Sequence, residues 1–300
     1  MIYQSFSPEE LEIPRLHGLL LGSIAPRPIA FVSTVDHQGR PNLSPYSFFN
    51  VFGANPPVAI VSPARRVRDN TTKHTLENAE TTGELVINVV NYAMVHQASL
   101  ASVEYPKGVN EFIKAGFTEI PSHTIKPPRV AESPVHLECI VDDIYYSGKT
   151  GGAGNLIRCL IKHIHINTTI LDSSGRIDQH KIDLVGRLGG DYYVRASGEA
   201  LFTVPKPVSS LGIGIDQLPA FIRTSPLLSG AELGRMGNLE LLPDTSTAEA
   251  YIQNEAFADA LASAGIDRSE APLTQAKKLL AADFAYPALC LLVANPSCCA

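Results

Sequence analysis

The chain has 300 residues, 45% of them hydrophobic, which is enough to bury one large core or two smaller ones. With 24 basic against 30 acidic residues the formal net charge is −6, so no long basic face exists to release counterions and no nucleic-acid partner is expected. No run approaches the ~20 apolar residues of a membrane span, and Glu9, Glu10 and Glu12 stand where a secretory signal carries basic residues, so a soluble, cytoplasmic protein is expected.

The five cysteines, Cys139, Cys159, Cys290, Cys298 and Cys299, are odd in number and lack C-x-x-C spacing. They read as reduced thiols, and the Cys298-Cys299 pair has no role legible in the sequence.

In chain order, residues 1–25 mix polar and apolar positions without a firm period. Pro26-Arg27-Pro28 sets an extended backbone, and the β-branched and aromatic run 29–35 reads as a strand. Asp36 to Gly39 is a turn that folds it back as a hairpin. Residues 44–50, Ser-Pro-Tyr-Ser-Phe-Phe-Asn, read as one strand whose proline argues for a sheet edge or a bulge. Pro56-Pro57 breaks the chain before a strand at 58–62. A short helix at 76–82 is stopped by Gly83, a strand follows at 84–90, and a helix is expected over 92–103.

Residues 104–134 are loop-rich. Two long strands are expected at 136–147 and 156–170, and a last one at 194–204 before Pro205-Lys206-Pro207. Six or more strands joined by turns favour an antiparallel barrel over a doubly wound sheet. The composition then changes. Ser246-Thr-Ala-Glu249 has capping-box spacing and opens a helix with Tyr251, Ile252, Ala256, Ala260, Leu261 and Ala264 on one face. Gly265 ends it, and a second helix is expected over 272–282. Two domains follow: a barrel over 1–207 and a mostly helical extension over 208–300.

Several motifs fail. Gly148-Lys149-Thr150 imitates the end of a P-loop, but Asp143 stands where the first glycine is needed, so this is a hairpin loop. Gly212-Ile213-Gly214 has Gln217 in place of the third glycine of a dinucleotide fingerprint. His163 and His165 share a strand face and are positioned to clasp a metal, but no acidic or thiol partner stands at ligand spacing, so no metal is expected. Gly-x-Ser-x-Gly does not occur.

Against the acidic whole, Arg65, Arg66, Arg68 and Lys73 crowd into nine residues with Thr71, Thr72 and Thr75 among them. The sequence places this loop between a strand and a helix start. The free N–H groups of a first helical turn then point at whatever the cations attract, an arrangement suited to a dianionic phosphate.

Three segments, Pro26 to Thr34, Asn42 to Asn50 and the basic-threonine loop, together resemble the flavin reductase-like family of FMN-binding split barrels, which includes the flavoredoxin-type proteins. Ser133-Pro134 before Glu138-Cys139, and Arg187-Leu-Gly-Gly190 before Tyr192-Tyr193, belong to the same resemblance, which runs from about Gly22 to Pro207. It implies a mainly β Greek-key split barrel, a homodimer and one FMN per subunit near the dimer interface. Carried across, Ser44, Pro45, Tyr46, Ser47, Phe48 and Asn50 lie along the isoalloxazine. Arg68, Thr71, Thr72, Lys73 and Thr75 hold the phosphate with Ser62 beneath them, and Arg27 touches either the flavin or the interface. His74 stands where many members have aspartate. Tyr46, Phe48, Phe49 and the 29–31 strand are positioned to supply an apolar slot for the ring.

The resemblance implies hydride transfer from NAD(P)H to FMN and delivery of electrons to oxygen, a partner monooxygenase or an electron carrier. Such transfer needs no dedicated acid or base, so no catalytic residue is expected. An FMN-binding electron carrier without NAD(P)H activity is the alternative, and a barrel binding another phosphate ester or haem a remoter one.

Overall fold

The computed structural model describes residues 2–204 and 211–299 and divides into two compact units, Met1–Phe202 and Thr203–Ala300. The domain boundary expected at 207/208 lies outside the described residues.

The first unit begins with α1 (Ile13–Ser23), in the stretch where no period was legible. None of its residues is buried, so no apolar stripe is imposed on it by this chain. Four strands follow: β1 (Ala30–Val35), β2 (Pro41–Tyr46), β3 (Phe49–Ala54) and β4 (Pro57–Val61). Asp36 fixes the first turn by accepting from the Gln38 and Arg40 amides, each at 2.9 Å. The single strand expected over 44–50 is two. The chain leaves β1 after Tyr46 and pairs from Phe49 with β4 instead, so Ser47-Phe48 is a crossing point between sheet edges.

After the cationic loop, α2 (His74–Thr82) starts two residues earlier than expected and ends on Gly83 at φ +69, a left-handed position that favours glycine. Then come β5 (Glu84–Val89), α3 (Val95–Leu100), α4 (Glu111–Ala115), β6 (Glu119–Ile120) and β7 (Arg129–Val130). The expected 92–103 helix is a 3-10 turn running into the six-residue α3. β8 (Val135–Tyr146) and β9 (Asn155–Ile166) make the long hairpin whose loop holds Gly148-Lys149-Thr150. α5 (Gln179–Ile182) precedes a ribbon of β10 (Val185–Arg187) and β11 (Tyr193–Arg195). The strand expected over 194–204 is cut to β11, because Gly198 at φ +57 opens a 3-10 turn there.

Seven strands form one antiparallel sheet in the order β2-β1-β5-β8-β9-β4-β3. β2 lies at one edge, where Pro45 breaks no ladder on its open side. β1 is buried on both faces. Ala30 and Val32 face a core with Leu76, Leu85, Ile87, Cys139 and Ile157, whereas Ile29 and Phe31 face a second core with Leu43, Met94, Val95 and Phe112. That double burial explains why 29–35 reads as a continuous apolar run.

The second unit is helical: α6 (Ala220–Arg223), α7 (Gly230–Gly237), α8 (Thr245–Ile252), α9 (Glu255–Ser263), α10 (Pro272–Ala281) and α11 (Ala285–Ala294). The one helix expected after Ser246 is two. Asp244 rather than Ser246 caps α8, accepting from the Thr247 amide at 2.7 Å, and Asn254 caps α9 through the Phe257 amide at 2.9 Å. α11 is apolar nearly all round, which left no period to read. Its Ala288, Leu289 and Leu292 are fully buried against Met236, Leu279 and Leu280. Cys299 packs into the same core, where burial pushes its thiol up to about 12. All five cysteines are free thiols. Among the described residues, no helix is long and apolar enough to cross a membrane.

Candidate functional site

β2 carries the site. Its residues help wall a groove with a wide end and a narrow end. The wide end is a cavity of about 210 Å³ walled by Ile29, Pro45, Tyr46, Ser47, Val90, Val95, Ala98, Ser99, Ser102, Arg187 and Tyr193. The narrow end, about 20 Å³, lies among Asn42, Ser44, Tyr46, Arg66, Lys73, His74, Ser102 and Glu104. Tyr46 and Ser102 wall both ends, so the two are neighbours.

The narrow end is cationic because of how residues 65–75 fold. Arg65 closes the loop on Asn70, donating to its Oδ1 at 2.7 Å, and Asn70 donates in turn to the Lys149 carbonyl in the β8–β9 loop at 3.0 Å. Asn70 sits at φ +57, a conformation asparagine tolerates better than most residues. Arg66 donates to the Thr71 hydroxyl at 2.8 Å and to the Thr72 carbonyl, which turns its guanidinium toward the groove. Lys73 is the N-cap of α2 and its side chain makes no capping bond; the Leu76 amide donates to the Lys73 carbonyl at 3.0 Å, which leaves the amides of His74 and Thr75 to an outside acceptor.

Glu104, arriving from beyond α3, meets this cluster. Its Oε1 accepts from Arg66 Nε at 2.8 Å and Lys73 Nζ at 3.3 Å, and its Oε2 from Arg68 Nη2 at 2.8 Å. Arg66 and then Arg68 hold its carboxyl at about 2, below the usual range. His74, half-buried among Arg66, Lys107 and Lys73, has its pKa lowered, chiefly by desolvation and against the pull of Glu77.

The expected residues divide. Ser44, Tyr46 and Lys73 line the narrow end, and Pro45, Tyr46 and Ser47 the wide one. Arg68 joins the cluster through Glu104, with 74% of its side chain exposed. Thr71 and Thr72 are turned to internal partners, Thr71 to Asp69 at 2.6 Å and Thr72 to Glu77 at 3.0 Å. Thr75 is fully buried, and its Oγ1 accepts from Tyr46 and Asn42, each at 2.9 Å. Phe48, Asn50 and Ser62 do not line the groove. Phe48 stands edge-on to His17 of α1, Asn50 accepts from the Val51 amide, and Ser62 is buried where its amide bonds the Phe48 carbonyl. Of the apolar slot, Ile29 and Tyr46 are in place, whereas Phe31 and Phe49 pack into cores.

Arg27 is a brace. Its buried guanidinium donates to the carbonyls of Leu21 and Ile24, each at 2.7 Å, and of Leu188 at 3.0 Å, and to Ser47 Oγ at 3.3 Å. Its backbone exchanges two 2.9 Å bonds with Arg187. Gly186 permits that approach, since a Cβ there would meet Pro26 Cβ at 2.7 Å. This junction brings Arg187, with its guanidinium 4.6 Å from the Tyr193 ring centre, to the cavity wall.

Asn42, Arg66, Ser102, Glu104, Arg187 and Tyr193 were not assigned to the site from sequence. Arg66 and the Arg187–Tyr193 stretch were visible as a charge and as part of a motif, but only the fold brings them to one groove. Ser102 and Glu104 carried no signal. His163 and His165 do share a face, with ring centres 4.5 Å apart, and His165 Nε2 lies 2.7 Å from Oε1 of the buried Glu138. Among the described residues, no three His, Cys, Asp or Glu side chains are grouped to hold a metal.

Comparison with known proteins agrees with this architecture. The flavin reductase like domain family matches residues 21–178, over half of the chain and wholly inside the first unit. An uncharacterized protein of Aquifex aeolicus is 38% identical over 202 residues, 66% of this chain and 99% of that protein. The crystal structure of nitrilotriacetate monooxygenase component B from Bacillus cereus is similar with a TM-score of 0.63 and 31% identity, covering 68% of this chain and 100% of that one. The 2-nitrobenzoate 2-nitroreductase of Pseudomonas fluorescens is similar with a TM-score of 0.60 and 27% identity, covering 70% and 100%. The chain belongs to the flavin reductase-like family, and its first unit has the split-barrel fold of that family.

The lining has the chemistry that a flavin nucleotide calls for. The wide end offers aliphatic and aromatic walls with a few hydroxyls, as a tricyclic ring requires, and the narrow end offers cations and helix-start amides, as a phosphate requires.

Proposed function

We propose that the protein is a flavin oxidoreductase that holds FMN in the β2 groove, takes hydride from NAD(P)H and delivers electrons to an acceptor. The observation that carries this reading is the adjacency of the apolar cavity and the cationic cleft, which share Tyr46 and Ser102 as walls. Arg66, Arg68, Lys73 and the first-turn amides of α2 would hold the phosphate. Ser44 and Ser47 would face the polar edge of the ring, and Ile29, Val95 and Tyr193 its apolar part. Bound there, FMN supplies a carrier that accepts two electrons as hydride and passes them on.

The chain's own contribution is position and field. The aliphatic wall of Ile29, Val90, Val95 and Ala98 excludes water from the reacting face. Arg187 places a positive charge at the cavity wall, which favours a ring gaining electrons. A monooxygenase component among the similar structures supports a partner monooxygenase as acceptor.

The same reading includes a homodimer. α1 buries none of its residues in this chain; its Leu19 and Leu20 are 44% and 50% exposed and Ile24, just past its end, 65%, and β3 exposes Val51 and Phe52 at 51% and 65%. A second copy covering these faces would remove that apolar area from water.

The test is anaerobic mixing of FMN-loaded protein with NADH or NADPH. Bleaching of the flavin band within turnover times supports the enzyme. A band indifferent to both nicotinamides overturns it and leaves an FMN electron carrier.

A further inference from the structure

The cationic cluster already has an anion of its own. Glu104 is contributed by the segment after α3, not by the loop that carries the cations, and it takes one donor from each of Arg66, Arg68 and Lys73. Of these, Arg66 and Lys73 line the narrow end of the groove, and Arg68 joins them through Glu104. A phosphate group there needs the same N–H donors, and it also meets the like charge of the carboxylate at close range. We propose that Glu104 is an internal competitor for the phosphate site, which sets the affinity for the flavin nucleotide low enough for it to exchange. The inference rests on the flavin reading above and deepens it, because it makes FMN a ligand that comes and goes.

Three features support competition over simple support of the cluster. Arg66 is oriented without Glu104, through Thr71 and the Thr72 carbonyl. Its side chain is only 15% exposed, so it stays in place when the carboxylate leaves. The Glu104 side chain is 38% exposed and can swing into water without stranding a buried charge. A phosphate monoester brings up to two negative charges and three acceptor oxygens against one charge and two oxygens, so it displaces the carboxylate at a cost in net affinity.

The test compares wild-type protein with Glu104→Gln and Glu104→Ala, titrated with FMN, riboflavin and inorganic phosphate. Both variants alter a partly exposed side chain, and their thermal midpoints confirm folding. Both should bind FMN and inorganic phosphate at least about tenfold more tightly than wild type. Riboflavin, which has no phosphate, should bind all three proteins equally. Variants that bind FMN no tighter, or more weakly, overturn the inference and make Glu104 an organiser of the cluster while the flavin reading stands. A tightening shared by riboflavin overturns it too, because the effect would not act at the phosphate. A wild-type protein that takes up no flavin overturns the flavin reading and this inference with it.

Discussion

The Tyr46 hydroxyl donates to Thr75 Oγ1 at 2.9 Å and so ties the edge strand of the groove to the first turn of α2. Thr75 also accepts from Asn42 Nδ2 at 2.9 Å. The apolar and cationic ends of the site are thus held at a set spacing by one buried oxygen. Tyr46→Phe should cost about 1 kcal/mol of stability, the net worth of one such bond. Thr75→Val, which strands both donors, should cost about 2 kcal/mol or more. Urea unfolding measures both, and equal midpoints for the two variants would contradict the arrangement.

The cations should be unequal in effect. Arg66 is mostly covered and oriented by Thr71 and Thr72, whereas 74% of the Arg68 side chain is in water. Arg68→Ala with Lys73→Ala should weaken FMN binding by at least about tenfold with riboflavin unchanged. Arg66→Ala alone should weaken it as much or more. Flavin fluorescence titration reads both, and a double variant with full FMN affinity would place the phosphate elsewhere.

Arg27 predicts a structural effect without a chemical one. Removing it leaves the carbonyls of Leu21, Ile24 and Leu188 without their donors. Arg27→Ala should cost about 2–4 kcal/mol in unfolding free energy. It should also loosen the β10–β11 ribbon that carries Arg187 and Tyr193. Hydrogen exchange over 185–195 should rise in the variant, and unchanged exchange there would argue against the brace.

Acid stability should depend on Glu138. Burial pushes its carboxyl up, but the His123 amide, Thr124 and His165 outweigh burial and hold it at about 2. A folded-state value below the ordinary carboxylate range stabilises the protein fully above pH about 4.5 and is lost as the pH falls toward 2, amounting to about 3 kcal/mol. Glu138→Gln should therefore lower stability at neutral pH and flatten its decline between those limits. Denaturation midpoints from pH 2 to 7 test this, and a variant with the wild-type slope would refute it.

The second unit has its own core of Met236, Phe257, Leu279, Leu280 and Leu289, and the matched family region lies outside it. A chain ended at Val204 should remain folded, with a cooperative unfolding transition and FMN affinity within about twofold of the full protein. Loss of the transition would show that the two units fold together.

Local pattern made most of the strands legible. The β1 run, the β8–β9 hairpin and the Gly83 stop each depend on neighbours in sequence, through pleat period, turn residues and left-handed glycine. Capping was legible only in part, since Asp244 and Ser246 offer similar side-chain oxygens and backbone geometry chose between them. The break at Ser47-Phe48 was hidden because residues on both sides favour strand, and only pairing with different partners separates β2 from β3.

By itself, the sequence determined the family, the antiparallel sheet and the presence of a cationic loop before a helix, because each is written in contiguous residues. Tertiary structure alone decided that Arg187 and Tyr193 face the same cavity as Ile29, that Arg27 is consumed by carbonyls, and that Glu104 lies on the cations. Lys73 and Glu104 are 31 positions apart and Arg27 and Leu188 are 161 apart, and the backbone bridge from Arg27 to Arg187 shows how the fold joins them. Contacts of that range come from strand order, which no local propensity encodes.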